Sequence, residues 1–181
     1  PSRHCNHHCV ANDKNKLIRA HLGAGKNYEA LGNEAKAIDH YSKAIAVQKK
    51  DGESSVIPPA IAAEAGYRAG DLYHKKIKKT RLDGTKSQNA ARAGEMNKSL
   101  MPAIQFFAKS VEMAEEEWTL RSYMRMGDLF YAIATISDNE RTAGLSGDDR
   151  IRAKVEGKAG IPGWLEKAIE LYKKNMEIAN N

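Results

Sequence analysis

Apolar and small residues recur along this chain at intervals of three and four, the spacing that lines one face of an α-helix, and runs of strict alternation are few. Leu17, Ala20, Ala24, Tyr28 and Leu31 form the first stripe and predict a helix over about 13–30, after which Gly32 permits a tight turn. A second stripe of Ala37, Ile38, Tyr41, Ala44 and Ile45 predicts a helix over about 34–49. Asp51–Gly52, two serines and Pro58–Pro59 then punctuate the chain. A third helix is expected from Pro59 or Ala60 to about Lys79, with Ala63, Tyr67, Gly70 and Tyr73 on its packing face. Residues 80–96 combine glycine, polar groups and basic charge and read as an insertion. The fourth helix is expected over about 98–117, with Pro102 in its first turn, where a missing N–H matters little. The fifth spans about 119–137, entered at Trp118, and presents Tyr123, Met126, Phe130 and Ala134. A second interruption, about 138–163, holds a short helical stretch at Asp148–Val155. The last helix, about 164–179, carries Trp164, Leu165, Ala168, Ile169 and Tyr172.

The helices repeat a pattern in pairs. Gly25-x-x-Tyr28, Gly70-Asp71-Leu72-Tyr73 and Gly127-Asp128-Leu129-Phe130 mark three first helices. Ala37-Ile38-x-x-Tyr41, Ala103-Ile104-x-x-Phe107 and Ala168-Ile169-x-x-Tyr172 mark three second helices. Small residues let paired helices approach, and the aromatic side chains fill the space between them. Such pairs complete their cores by stacking on their neighbours.

At these residues the sequence resembles the tetratricopeptide-repeat family over about residues 17–178, outside the two interruptions. It departs from that family in the length of those interruptions and in lacking the usual terminal proline after the first hairpin. The resemblance implies an all-α fold of antiparallel helical hairpins in a right-handed solenoid, a closed six-helix bundle being the alternative. It gives one domain over 13–181, with repeats at about 17–49, 60–117 and 119–179, behind a flexible Cys/His-rich terminus at 1–12.

The resemblance also implies a noncatalytic scaffold that binds a peptide or protein segment on its concave side. The residues expected there are Arg19, Lys26, Tyr67, Arg68, Arg121 and Arg125, with Asn33 as a further polar contact. Arginine forks suit a terminal carboxylate or an acidic peptide. The bland alternative is solvation, since isolated surface cations are common and exposed ion pairs contribute little. One subtype of the family grips the carboxyl-terminal tail of a chaperone. Arg121 and Arg125 resemble two of its cationic positions, and Lys26 one polar contact. Leu22 stands where a lysine is expected and Arg68 where an asparagine is, so the complete clamp is absent. A related class of membrane-fusion adaptors shares the Gly-x-x-Tyr and Ala-Ile-x-x-Tyr patterns. Membrane-proximal assembly and structural oligomerisation, with a homo-oligomer as partner, are therefore the alternative functions.

Composition supports a real core: in 181 residues, 41% are hydrophobic and 29% charged. No stretch approaches 18 consecutive apolar residues, so the reading is a soluble fragment without a transmembrane helix, its cell compartment open. The start at Pro1 suggests that a leader, tag or domain precedes this numbering, and no apolar signal block is visible. The net charge of +6 has an address. Lys75, Lys76, Lys78, Lys79, Arg81, Lys86, Arg92 and Lys98 face only Asp83 and Glu95, a surplus equal to that of the whole chain. Such a patch attracts acidic protein tails, nucleic acid or anionic membrane. Nucleic acid and peripheral membrane rank below a protein partner, because no base-reading motif or inserting apolar face accompanies the charge.

The sharpest local chemistry is His4, Cys5, His7, His8 and Cys9. Two thiolates with nearby imidazoles suit zinc, although no second, distant Cys/His pair exists to complete a finger. No other cofactor is implied. Thiol catalysis would need a positioned base and a lowered thiol pKa, for which the pattern gives no support. Asp71 and Asp128 are separated carboxylates that can orient basic side chains, Glu115–Glu117 form a solvated helix end, and Gly23–Lys26 lacks phosphate-loop spacing. No enzyme motif is present.

Overall fold

The computed structural model describes the backbone of residues 4–49, 58–142, 145–156 and 161–180. Seven helices occur among them, and no strand: α1 (His4–Ala30), α2 (Glu34–Lys49), α3 (Pro59–Lys79), α4 (Lys86–Val111), α5 (Glu116–Thr142), α6 (Gly147–Glu156) and α7 (Ile161–Ala179). The all-α expectation holds for these residues. None of the helices is long and apolar enough to cross a membrane. The chain forms two compact units, one of residues 1–72 with 105–122, the other of 73–104 with 123–181.

In the first unit, α1 and α2 join through a turn that local chemistry dictates. Gly32 adopts a left-handed φ of 72°, which costs glycine nothing. Asn33 N–H then donates to the Tyr28 carbonyl at 2.8 Å and Gly32 N–H to that of Glu29 at 3.0 Å, satisfying two orphan carbonyls of α1. The Asn33 side chain accepts from Lys36 N–H at 3.2 Å and so caps α2. Chain reversal places Ile18 and Leu22 of α1 with Ala37, Tyr41, Ala44 and Ile45 of α2 in one buried cluster. Ile61, Ala62, Ala65, Ala69 and Leu72 of α3 complete it.

Each hairpin sets a glycine of its first helix against an aromatic ring of its second. A side chain at Gly25 would collide with Tyr41. One at Gly70 would lie 2.8 Å from the Phe107 ring, and one at Gly127 would lie 2.6 Å from that of Tyr172. The pairs α1/α2, α3/α4 and α5/α7 thus use one packing device, and the chain is built of repeated helical hairpins.

Helix boundaries differ most from expectation at the starts of α1 and α4; α4 also ends at Val111 rather than near 117, and α5 runs on to Thr142 rather than 137. α1 begins at His4 rather than near residue 13. α4 begins at Lys86 rather than near 98, so Pro102 lies inside the helix instead of in its first turn. The reason for the early start of α4 is a reciprocal cap. Thr85 N–H donates to Gln88 Oε1 at 2.9 Å, and Gln88 N–H to Thr85 Oγ1 at 3.4 Å, the Ser/Thr-x-x-Glu/Gln box that starts helices. The proline forfeits one interior hydrogen bond, while buried Ala103 and Phe107 hold the helix beyond it.

Two imidazoles meet across the α1–α2 seam. His21 Nδ1 and His40 Nδ1 are 3.1 Å apart, and Tyr28 stacks on His40 with ring centroids 5.4 Å apart. A hydrogen bond at this distance needs one Nδ1 to carry a hydrogen and the other to accept it, whereas two Nδ1–H groups would face each other as donors. Burial, then His40 and Lys43, holds the His21 pKa below 6.5, with Asp39 opposing. The unfolded chain therefore binds this proton more readily than the folded one. The stabilising contribution of neutral His21 is complete above pH 6.5 and is lost as pH falls through the folded pKa. The thermal midpoint should drop between pH 7 and pH 5.5 in the wild type and drop less in His21→Gln. An equal drop in both would remove the pair as its cause.

Candidate functional site

Charged side chains of α1 and α3 meet on a partly exposed face of the first unit. Lys26 Nζ lies 2.6 Å from Glu64 Oε1. Arg68 Nε donates to that same oxygen at 2.7 Å, and Arg68 Nη1 to Glu29 Oε2 at 3.4 Å. The Tyr41 hydroxyl, reaching out from α2, donates to Glu29 Oε2 at 2.7 Å. Helical spacing explains the set: Lys26 and Glu29 are three residues apart, Glu64 and Arg68 four, so each pair shares a face. The Gly25–Tyr41 approach supplies the fifth member, because the buried ring leaves its hydroxyl at the network.

The groups tune one another. Burial pushes the Glu64 carboxyl up, but the Lys26 ammonium and Arg68 guanidinium outweigh it and hold the pKa below the ordinary carboxylate range. Burial works against the Arg68 charge, and Glu64 outweighs that in turn. Burial and then the Glu29 carboxylate push the Tyr41 phenol far above its usual value. Two cations face two carboxylates, so the network is formally neutral. Side-chain exposures of 41% at Lys26 and 33% at Arg68 leave both cations reachable from solvent. At such exposure each ion pair contributes about 1 kcal/mol or less.

The second unit repeats the motif in shorter form. Tyr172 hydroxyl donates to Asp128 Oδ1 at 2.7 Å, and Arg125 Nη1 donates to Asp128 Oδ2 at 3.1 Å. Burial, then Asp128, pushes the Tyr172 phenol up to about 12. The tyrosine–carboxylate–arginine arrangement therefore occurs twice. In the α3/α4 hairpin the ring is Phe107, which has no hydroxyl to offer.

Of the six residues expected at a peptide site, Lys26 and Arg68 are brought together, both on Glu64. Arg19 is exposed, and its Nε donates to Asn15 Oδ1 at 3.0 Å. Tyr67 packs its ring against Phe107 and Trp118, with centroids 6.1 and 5.4 Å away. Arg121 stands over Trp118 at 4.9 Å and pairs with Glu117 at 2.8 Å. Arg125 belongs to the second unit. Sequence reasoning missed Glu29 and Glu64, although the Lys26/Glu29 and Glu64/Arg68 spacings were visible in the chain. Asp128 does orient a basic side chain, that of Arg125.

Side chains of the metal candidates His4, Cys5, His7, His8 and Cys9 lie outside the described residues. Among the described residues, no group of three or more His, Cys, Asp or Glu side chains is gathered to hold a metal ion. No family model matches the chain, and no curated protein or solved structure shows significant similarity to it.

Proposed function

We propose that the chain is a noncatalytic interaction scaffold of the tetratricopeptide-repeat type, which holds a carboxylate-bearing protein segment on the first-helix face of its first unit. The observation that carries this reading is the partly exposed Lys26–Glu64–Arg68–Glu29 network between two first helices. Its cations are already oriented and already paired, so a ligand carboxylate exchanges with Glu64 rather than organising loose side chains. Pre-orientation lowers the ordering cost of binding. The internal carboxylate makes weak anions poor competitors, which favours a ligand with neighbouring contacts of its own. Arg19, on the same α1 stripe seven residues before Lys26, and Tyr67 with Arg121 at the Trp118 edge are the remaining contacts assigned to this face.

A library of short peptides with free carboxyl termini, compared with its amidated counterpart, tests the assignment. Enrichment of free-carboxylate sequences over their amidated counterparts should vanish in Lys26→Ala/Arg68→Ala and rise several-fold in Glu64→Gln, with helicity unchanged. The same enrichment in the double variant would overturn the site. Assembly is the second reading, favoured by Ile169 and Met176, one α7 stripe exposed at 52% and 58%. Molar mass measured on the same samples separates the two. A concentration-dependent oligomer abolished by Met176→Glu, with no peptide enriched, would assign the chain to assembly.

A further inference from the structure

The basic surplus of the sequence is mounted on a braced corner between α3 and α4 in the second unit. Asn89, buried, accepts from Gly84 N–H at 3.0 Å and donates to the Leu82 carbonyl at 3.1 Å. Leu82 itself is buried and pins the loop from below. Arg92 Nη1 donates to the Arg81 carbonyl and to Asp83 Oδ1, both at 2.8 Å. With the Thr85–Gln88 cap, these bonds fix the loop at its middle and its end, and they fix the Arg92 guanidinium in one orientation.

An open cleft of about 890 Å³ lies against this corner, its polar lining formed by Lys79, Thr80, Arg81, Asp83, Arg92, Glu95 and Lys98. Its two acids are both engaged internally, Asp83 by Arg92 and Glu95 by Lys98 at 2.6 Å. Neither Lys79 nor Arg81 is matched to a carboxylate among the described residues. The lining therefore carries two positive charges in excess. A simpler explanation covers part of this: Lys76, Lys78 and Lys79 complement the negative end of the α3 dipole. It does not cover Arg81, beyond that helix, or Arg92 and Lys98, on the next one. The first turn of α4 also lacks the acid that its positive end would favour.

We propose that this cleft is a docking surface for an acidic peptide segment of a partner protein, with Lys79 and Arg81 as its free cations and Arg92 as a pre-oriented fork. Among the described residues no aromatic ring lines it, so they offer no platform on which bases stack. The nearby apolar residues Leu82 and Met96 are buried, so it offers nothing to insert into a bilayer. What remains is oriented positive charge in an open groove, which suits successive Asp or Glu side chains on an extended chain. The inference stands apart from the first-helix site, whose network is formally neutral, and the two respond to different substitutions.

The test is anisotropy titration of fluorescent octaglutamate at low ionic strength, against octaglutamine, an oligothymidylate of equal charge and phosphatidylserine vesicles. Octaglutamate should bind, and weaken as salt shortens the screening length to about 8 Å near physiological ionic strength. Lys79→Glu/Arg81→Glu should lower its affinity by about ten-fold or more, and Lys79→Gln/Arg81→Gln by less. The same loss should appear when the charge reversal is made in a Lys26→Ala/Arg68→Ala background, which separates this cleft from the first-helix site. All four positions are surface-accessible, and far-ultraviolet helicity checks the fold of each variant. Equal octaglutamate binding by wild type and the charge-reversed variant would overturn the proposal. So would tighter binding of the oligonucleotide or the vesicles than of octaglutamate through the same two residues.

Discussion

Tyr41→Ala should destabilise the protein by about 3–5 kcal/mol, the range for deleting a fully buried aromatic side chain. Tyr41 is 0% exposed, packed over Gly25 inside the first hairpin, and its hydroxyl holds Glu29. Truncation opens a cavity that the helices cannot close, because the α1–α2 turn and the buried α3 face fix their separation. Tyr41→Phe keeps the ring and loses only the hydroxyl bond, so about 1 kcal/mol is expected at this partly exposed carboxylate. Phe107→Ala should match Tyr41→Ala, since Phe107 is also 0% exposed. Tyr172→Ala should cost less, its ring being only partly buried. Denaturant unfolding of the four variants gives the order directly. A loss below about 1 kcal/mol for Tyr41→Ala would show that the glycine–ring contact is not a packing element.

That contact was legible in the sequence because its two halves are unusual residues at fixed offsets. A glycine within a helical stripe needs a reason, and an aromatic residue three positions after Ala-Ile in the next helix supplies it. The Gly32–Asn33 turn was legible in part: Gly32 gave the turn, whereas the cap by Asn33 depends on where α1 stops. The start of α4 was misplaced by composition. Glycines and cations between 80 and 96 look like a loop when read singly, while Thr85 and Gln88 form a cap only as a pair at the right spacing.

The candidate site divides in the same way. Cations attract notice, so Lys26 and Arg68 were chosen, and the carboxylate that organises them was not. Glu64 lies thirty-eight residues beyond Lys26, and nothing local announces that α3 returns to α1. Long-range pairing of this kind follows from packing of Ile61, Ala62, Ala65 and Ala69 against the first hairpin, which is a tertiary fact. Of the expected groove cations, Lys26, Arg68, Arg121 and Arg125 thus turn out to be paired with carboxylates, while the net charge resides on the α3–α4 corner. In the proposed reading, attraction and recognition would use different residues, each open to its own test.

Gly66→Val should cost about 3 kcal/mol, the upper part of the range for overpacking, whereas Gly23→Ala should raise stability by up to about 1 kcal/mol. Both glycines are helical, so the difference isolates their neighbours. A β-carbon at Gly66 would sit 3.0 Å from the Phe106 carbonyl oxygen and the Ser110 nitrogen, and 3.2 Å from Ser110 Cα. These are backbone atoms, which cannot rotate aside; α4 would have to move bodily from α3. Moving it would also stretch the buried 2.8 Å bond from Ser110 Oγ to the Ala63 carbonyl. At Gly23 nothing lies within 4 Å of the added carbon, so the helix gains alanine's lower backbone entropy cost without a clash. Denaturant midpoints for the two variants should therefore move in opposite directions. If both rose, the α3–α4 crossing would be looser than its glycine implies, and the Ser110 bond would be the next contact to measure.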